Sequence, residues 1–314
     1  MHKVHANACK LFSFQLRSKS LNCLVGPVKT QLGVPRMTKN VSVIERLRAL
    51  KGRNKSSLVL ANNGRRYVQK FLNLDHDDSN RLFNEALGSQ LGRALGLSFP
   101  AWTELWTGGE QRHPAYADAV DDRRPSSFGS ELIQGDILEY LPGKWYQNVE
   151  NCAEVYRCLL FDLWCNHTDS RQVLFQSRGP RALHAYFFDH DQMFSPDDAM
   201  SLPKRIARTR CLDHRIYEAS LIPVLPDLLQ FADRIKLLVS KNLSEVMKTV
   251  PPSWGSWSHR AQAISGLQLR SNELDAYIEG ILCFADSLTR HSGRATQPRH
   301  CMPHGPAFGM VNAC

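Results

Sequence analysis

No uninterrupted apolar stretch in the sequence approaches the length that crosses a bilayer, so a spanning helix is excluded. None of the nine cysteines forms a Cys-x-x-Cys pair, which removes the usual zinc and thiol-redox spacings. Cys152, Cys158 and Cys165 lie instead in apolar sequence, as buried thiols do, and a reducing cytoplasm is the expected compartment. Acids are missing from both ends: none precedes Glu45 and none follows Asp286. Much of the formal charge of +9 therefore sits at the termini. A nucleic-acid groove would gather cations and aromatic rings on one folded face, so nucleic acid is a secondary reading. Glycine is scarce where a phosphate-cradling loop would use it, since Lys51–Ser57 holds only Gly52. No internal repeat is evident.

What is present suits a globular chain. Its 314 residues, 43% hydrophobic and 22% charged, allow one large domain or two smaller ones sharing a cleft. Residues 1–36 are expected to be a disordered extension: a targeting segment, or an upstream stretch before a start at Met37. The expected organisation then runs 37–143 as an N-terminal lobe, 144–290 as a C-terminal lobe and 291–314 as a flexible tail.

The apolar residues Val43, Ile44, Leu47 and Leu50 have helical or irregular spacing. Leu58–Leu60 and Tyr67–Phe71 flank Asn62-Asn63-Gly64, a strong turn signal, and predict two antiparallel strands. Leu82, Phe83, Ala86, Leu87, Leu91 and Leu95 predict a helix over 80–97 with Gly96 as its stop. Strand-like segments follow at 102–106, 130–134 and 137–141. A helix is expected over 149–164, and two long helical regions over 221–247 and 261–288 are split by Pro251-Pro252-Ser253-Trp254.

Two stretches carry most of the chemistry, Phe161–Phe175 and Tyr186–Phe194. Each places acidic or amide side chains beside a strand-like run, and the second delivers Asp189 at its end. Hard oxygen ligands fixed by strands and open to a cleft suit Mg²⁺ on phosphates. Asp169 and Gln172 are three residues apart, near enough to face one cleft, although a solvated acidic turn has the same pattern. Lys70 is a candidate cation for the same phosphates. Glu85 lies where it could meet Lys70, but a helix N-terminus favours a carboxylate in any case. Asp162 reads as a structural acid and Asn166 as a cap for the loop. Arg171 reads as a neutraliser of phosphate or of the Asp189 region, or as a structural salt bridge. Asp191 is either a second metal contact or an unfavourable like charge.

The stretch from Arg46 to Phe194 resembles the HipA-like protein kinases, specifically their short single-domain bacterial members. The likeness is carried by the Ser56-Ser57 loop, YVQKF at Tyr67–Phe71, NEALGSQLGRALGL at Asn84–Leu97 and SELIQGDILEYLP at Ser130–Pro142. FDLWCNHTDSRQVLF, FFDHDQMF and the later PPSW complete it, so it covers about Val41 to Leu288. The resemblance implies an α+β, protein-kinase-like two-lobed fold: a small antiparallel β lobe with one main helix, and a larger mainly helical lobe. It implies ATP and Mg²⁺ as cofactors and a protein seryl or threonyl hydroxyl as acceptor. Lys70 would orient the α and β phosphates, held by Glu85, with Ser56 and Ser57 in the nucleotide loop. Glu139, Tyr140 and Leu141 would form the hinge against the adenine. Asp169 would be the catalytic-loop acid; Gln172 and Asp189 would bind the metal. The atypical nucleotide loop and Ser170 keep a catalytically weak nucleotide-binding regulator open, and the acceptor could equally be a small molecule or lipid.

Overall fold

A computed structural model describes residues 41–50, 56–71, 79–107, 126–139, 141, 143–196, 201–209, 217 and 223–292. The expected extension over 1–36 and the tail beyond Ser292 lie outside the described residues, as do Tyr140 and the loop at 51–55.

The N-terminal part is a closed five-stranded barrel in the order β1-β2-β3-β5-β4. Its strands are β1 (Val41–Ala49), β2 (Ser57–Ala61), β3 (Arg66–Lys70), β4 (Trp102–Thr107) and β5 (Ser126–Glu131). Neighbours run antiparallel except β1 and β4, whose parallel pairing closes the barrel. The β2–β3 hairpin turns at Asn62-Asn63-Gly64 as expected, with Gly64 at φ +75°. Val41–Ala49 is a strand, not a helical or irregular segment. Register shifts at Val43/Glu45 and Arg46/Arg48 break its two-residue alternation, which hides the strand in the sequence. The strand expected at 130–134 begins earlier, at Ser126. Its small residues let β4 close in: a Cβ on Gly129 would lie 2.4 Å from the Leu105 side chain.

Between β3 and β4 runs α1 (Ser79–Ala94), buried from Leu82 to Gly92. A helix enclosed all round shows no clean apolar stripe, and the polar residues it carries need partners. It ends in a Schellman turn: Gly96, at φ +83°, lets the Leu97 N–H reach the Gly92 carbonyl at 2.9 Å. Phe99 then folds back onto α1. A Cβ on Gly92 would stand 2.1 Å from the Phe99 ring, which also packs on Phe161, Phe187 and His190. Gly92→Ala is therefore expected to cost about 1–3 kcal/mol by overpacking, read as a lower urea midpoint with unchanged slope.

The second part begins with a three-stranded sheet of β6 (Ile137–Leu138), β7 (Gln172–Gly179) and β8 (Ala182–Phe188). Of the strand expected at 137–141, Ile137 and Leu138 pair with β7. Around this sheet lie α2 (Ala153–Trp164), α3 (Leu202–Thr209), α4 (Leu225–Lys241), α5 (Leu243–Lys248), α6 (Trp257–Arg270) and α7 (Leu274–Ser292). Pro226 sits in the first turn of α4, so the helix starts late, as the prolines suggest. The region expected as one helix over 261–288 is two, broken at Ser271–Glu273, and α7 carries on into the expected tail as far as Ser292. Periodicity gave no sign of α3. The α+β, two-lobed organisation expected from the sequence is the one observed.

Among the described residues the buried apolar side chains form two clusters. Val41, Val43, Val59, Ala61, Tyr67 and Leu105 fill the barrel. A much larger cluster joins α1 to α2, the second sheet and the C-terminal helices. Trp164 anchors it, its indole N–H donating to the Leu267 carbonyl at 2.9 Å.

Candidate active site

Three elements distant in sequence converge at Lys70. β3 ends on Lys70, α1 presents Glu85, and β8 ends one residue before Asp189. The Lys70 ammonium is ion-paired with Glu85 and donates to Asp189 Oδ1 at 2.8 Å. The other Asp189 oxygen accepts from Gln172 Nε2 at 2.7 Å. Gln172 is the first residue of β7 and stands opposite Phe188 in the ladder, so the hairpin sets this contact. Lys70, Glu85, Gln172 and Asp189 are thus brought together.

Asp191 joins them, though sequence reasoning left its role open. Carboxylate oxygens of Glu85, Asp189 and Asp191 all lie within 4.8 Å of one another. Burial pulls the Lys70 ammonium down, but Glu85, Asp189 and Asp191 hold it above its ordinary value. For Glu85, burial together with Asp189 and Asp191 lifts the carboxyl to about 7 against the pull of Lys70. Asp189 stays below the usual carboxylate range: burial would raise it, and Lys70 and then Arg171 outweigh that. Three carboxylates around one ammonium leave a surplus of negative charge. All three offer hard oxygen atoms, a donor set that fits Mg²⁺ or Mn²⁺ and not a thiophilic ion.

Asp189 is held with φ at +68°, in the left-handed region that costs a non-glycine residue energy. Arg171 supports that conformation from below. It is 1% exposed, bidentate to Asp162, and its Nη1 donates to the carbonyls of Phe188 at 2.8 Å and Asp189 at 3.1 Å. Arg171 is therefore a buried structural pair and is not open to a phosphate. Asp162, fully buried, is the structural acid expected. His167 is buried beside it, 3.7 Å from the Asp162 carboxylate, and its Nδ1 has no hydrogen-bond partner.

Asp169 occupies the loop from α2 to β7. Asn166, at φ +50°, closes α2 with a second Schellman turn: His167 N–H bonds the Asp162 carbonyl at 2.9 Å and Asn166 N–H that of Leu163 at 3.2 Å. Thr168 N–H then bonds the Gln192 carbonyl at 3.1 Å, tying this loop to the segment after Asp189. The Asp169 carboxylate is exposed, with Oδ1 accepting from the Ser170 N–H at 2.7 Å.

The remaining residues divide. Ser56 is half-buried at the end of the loop. Ser57, expected beside the phosphates, is fully buried opposite Gln69 on the barrel's inner face, and its hydroxyl has no partner there. The barrel interior is partly polar: Gln69 Nε2 donates to Ser127 Oγ at 2.7 Å and Thr107 Oγ1 at 3.2 Å. Ser57 belongs to that interior, so its hydroxyl is no phosphate ligand. Glu139 is exposed and Leu141 is in the main core; both follow β6, on the connection from the second sheet to α2.

Among the described residues no helix is long and apolar enough to cross a membrane. No protein-family model matches the chain, and no curated protein matches it. Among solved structures it is similar to the Helicobacter pylori proinflammatory kinase CtkA, with 15% identity, 81% of this chain and 99% of that chain covered, and a TM-score of 0.47. It is also similar to the Golgi casein kinase with Mn and ADP bound, at 12% identity, 81% and 75% coverage and a TM-score of 0.45. The Rio2 kinase–ADP/Mg²⁺–phosphoaspartate complex from Chaetomium thermophilum is matched at 12% identity, 80% and 72% coverage and a TM-score of 0.34.

Proposed function

We propose that the chain is an ATP- and Mg²⁺-dependent phosphotransferase, specifically a HipA-like serine/threonine protein kinase that passes the γ-phosphate of ATP to a protein hydroxyl. The observation that carries this reading is the Lys70 ammonium bonded to both Glu85 and Asp189. Phosphoryl transfer asks a protein mainly for positioning and charge compensation. Glu85 fixes the direction of the lysine, whose point charge then meets the α and β phosphates. Asp189 and Asp191, with the amide oxygen of Gln172, would hold Mg²⁺. When bound, that ion would neutralise charge on the phosphate oxygens. Asp169 is exposed on a loop tethered to the metal-binding segment. It would orient the acceptor hydroxyl and take up its proton as the new ester bond forms.

Purified protein given labelled ATP and Mg²⁺ is expected to label itself or a protein acceptor. Asp169→Asn should lower that rate by about 100-fold or more without weakening nucleotide binding, because the change removes the proton acceptor and no phosphate contact. Absence of labelling with any acceptor, together with undetectable binding of Mg²⁺–nucleotide, would overturn the reading.

A further inference from the structure

From the bonds around Asn84 we infer that this residue is a positioning residue for the metal-binding carboxylates, locked in place by His259; the inference rests on the phosphotransferase reading above. Asn84 precedes Glu85 on α1 and is 5% exposed. Its Nδ2 donates to the backbone carbonyl of Asp191 at 2.8 Å. That bond fixes which end of the amide is which, so Oδ1 faces His259 and accepts from Nε2–H, also at 2.8 Å. Each polar atom of the Asn84 side chain is thereby engaged. One end reaches the acidic segment and the other reaches α6, 175 residues away in sequence.

His259 is itself held. Its backbone N–H is capped by Ser256 Oγ at 3.2 Å, and its ring meets Phe83 edge-on at 5.4 Å. The turn before α6 grips the start of α1 as well: Gly255 N–H bonds the Ser79 carbonyl and Ser256 N–H bonds Asn80 Oδ1, both at 3.0 Å. The resulting circuit runs from Lys70 to Glu85, along α1 to Asn84, across to Asp191, and through Asp189 back to Lys70. α1 also packs on this segment at Gly88, against His190 and Met193, and at Phe83, against Phe194; the Asn84–Asp191 bond adds a directional tie at the aspartate itself. Outer partners of metal ligands commonly set affinity by about 10–100-fold.

The test measures Mn²⁺ binding by the full chain in the presence of a non-hydrolysable ATP analogue, by calorimetry, alongside thermal melting. Asn84→Ala and His259→Ala are expected to weaken Mn²⁺ by about ten-fold or more. His259→Gln, which keeps a side-chain N–H donor, should recover most of the loss. Asn80→Ala is the control: it removes the Ser256–Asn80 bond and leaves the Gly255–Ser79 and His259–Asn84 bonds in place, so it should lower the melting temperature and leave Mn²⁺ affinity unchanged. Equal weakening by Asn80→Ala, or unchanged affinity in Asn84→Ala, overturns the positioning role while leaving the phosphotransferase reading intact. A wild-type chain that binds no Mn²⁺–nucleotide overturns both.

Discussion

Asp189→Asn protein is expected to lose labelled-phosphate transfer by at least about 100-fold while remaining folded. Asparagine matches aspartate in shape and tolerates the left-handed conformation that position 189 adopts. The Arg171 contacts go to backbone carbonyls and survive the change. What disappears is one negative charge facing Lys70 and the proposed metal. A kinetic assay paired with a melting curve separates the two effects. Wild-type transfer by this variant would sink the assignment of Asp189 as a metal ligand, since the reaction would then proceed without its charge.

The largest loss of stability is expected from Arg171→Met. Asp162 is fully buried, and removing its bidentate partner strands a carboxylate in the core, a change that typically costs about 3–5 kcal/mol. The pH dependence follows from the sign of the shift. Burial would raise the Asp162 carboxyl, but the Arg171 guanidinium, with His167, holds it below its ordinary value. The pair therefore contributes fully above the unfolded-chain carboxylate range, about pH 4, and its contribution fades as pH falls through the lower folded value. In Arg171→Met that holding charge is gone, and a neutral Asp162 is the tolerable form. Urea unfolding should then show a wide gap between variant and wild type at pH 7 that narrows under acid. A gap that stays constant down to acid unfolding would mean the pair is not what stabilises this region.

Local rules made part of this molecule legible. The Asn-Asn-Gly turn, the apolar repeat of α1 and its glycine stop are short-range features, and each reads correctly. Asn166 ends α2 by the same backbone turn as Gly96 ends α1, yet asparagine has so many other uses that the signal is weak. β1 failed because two bulges scramble its alternation. Ser57 misled for a different reason: the barrel interior accepts Gln69, Ser127 and Thr107, so a polar side chain there does not face solvent. In the site, Lys70, Glu85, Gln172 and Asp189 stand out as candidates from their places beside strand-like runs and on the helix, and the resemblance gives each its role. Asn84 and His259 had no sequence signal, because their significance arises only when α6 folds against α1. Arg171 showed its charge in the sequence but not its burial, which depends on Asp162 nine residues earlier.

The separation of the barrel's apolar filling from the main core has a consequence for how the protein opens. Six residues fill the barrel, whereas α1 is embedded in the large cluster with the C-terminal helices. Unequal burial of this kind lets one unit fluctuate before the other. Lys70 ends a strand of the barrel, but its ladder partner Phe128 belongs to the large cluster that holds α1, so the ammonium sits where the two clusters meet. A loosening of the barrel that also released Phe128 from the large cluster would carry the ammonium away and leave the acids assembled, open to an arriving cation.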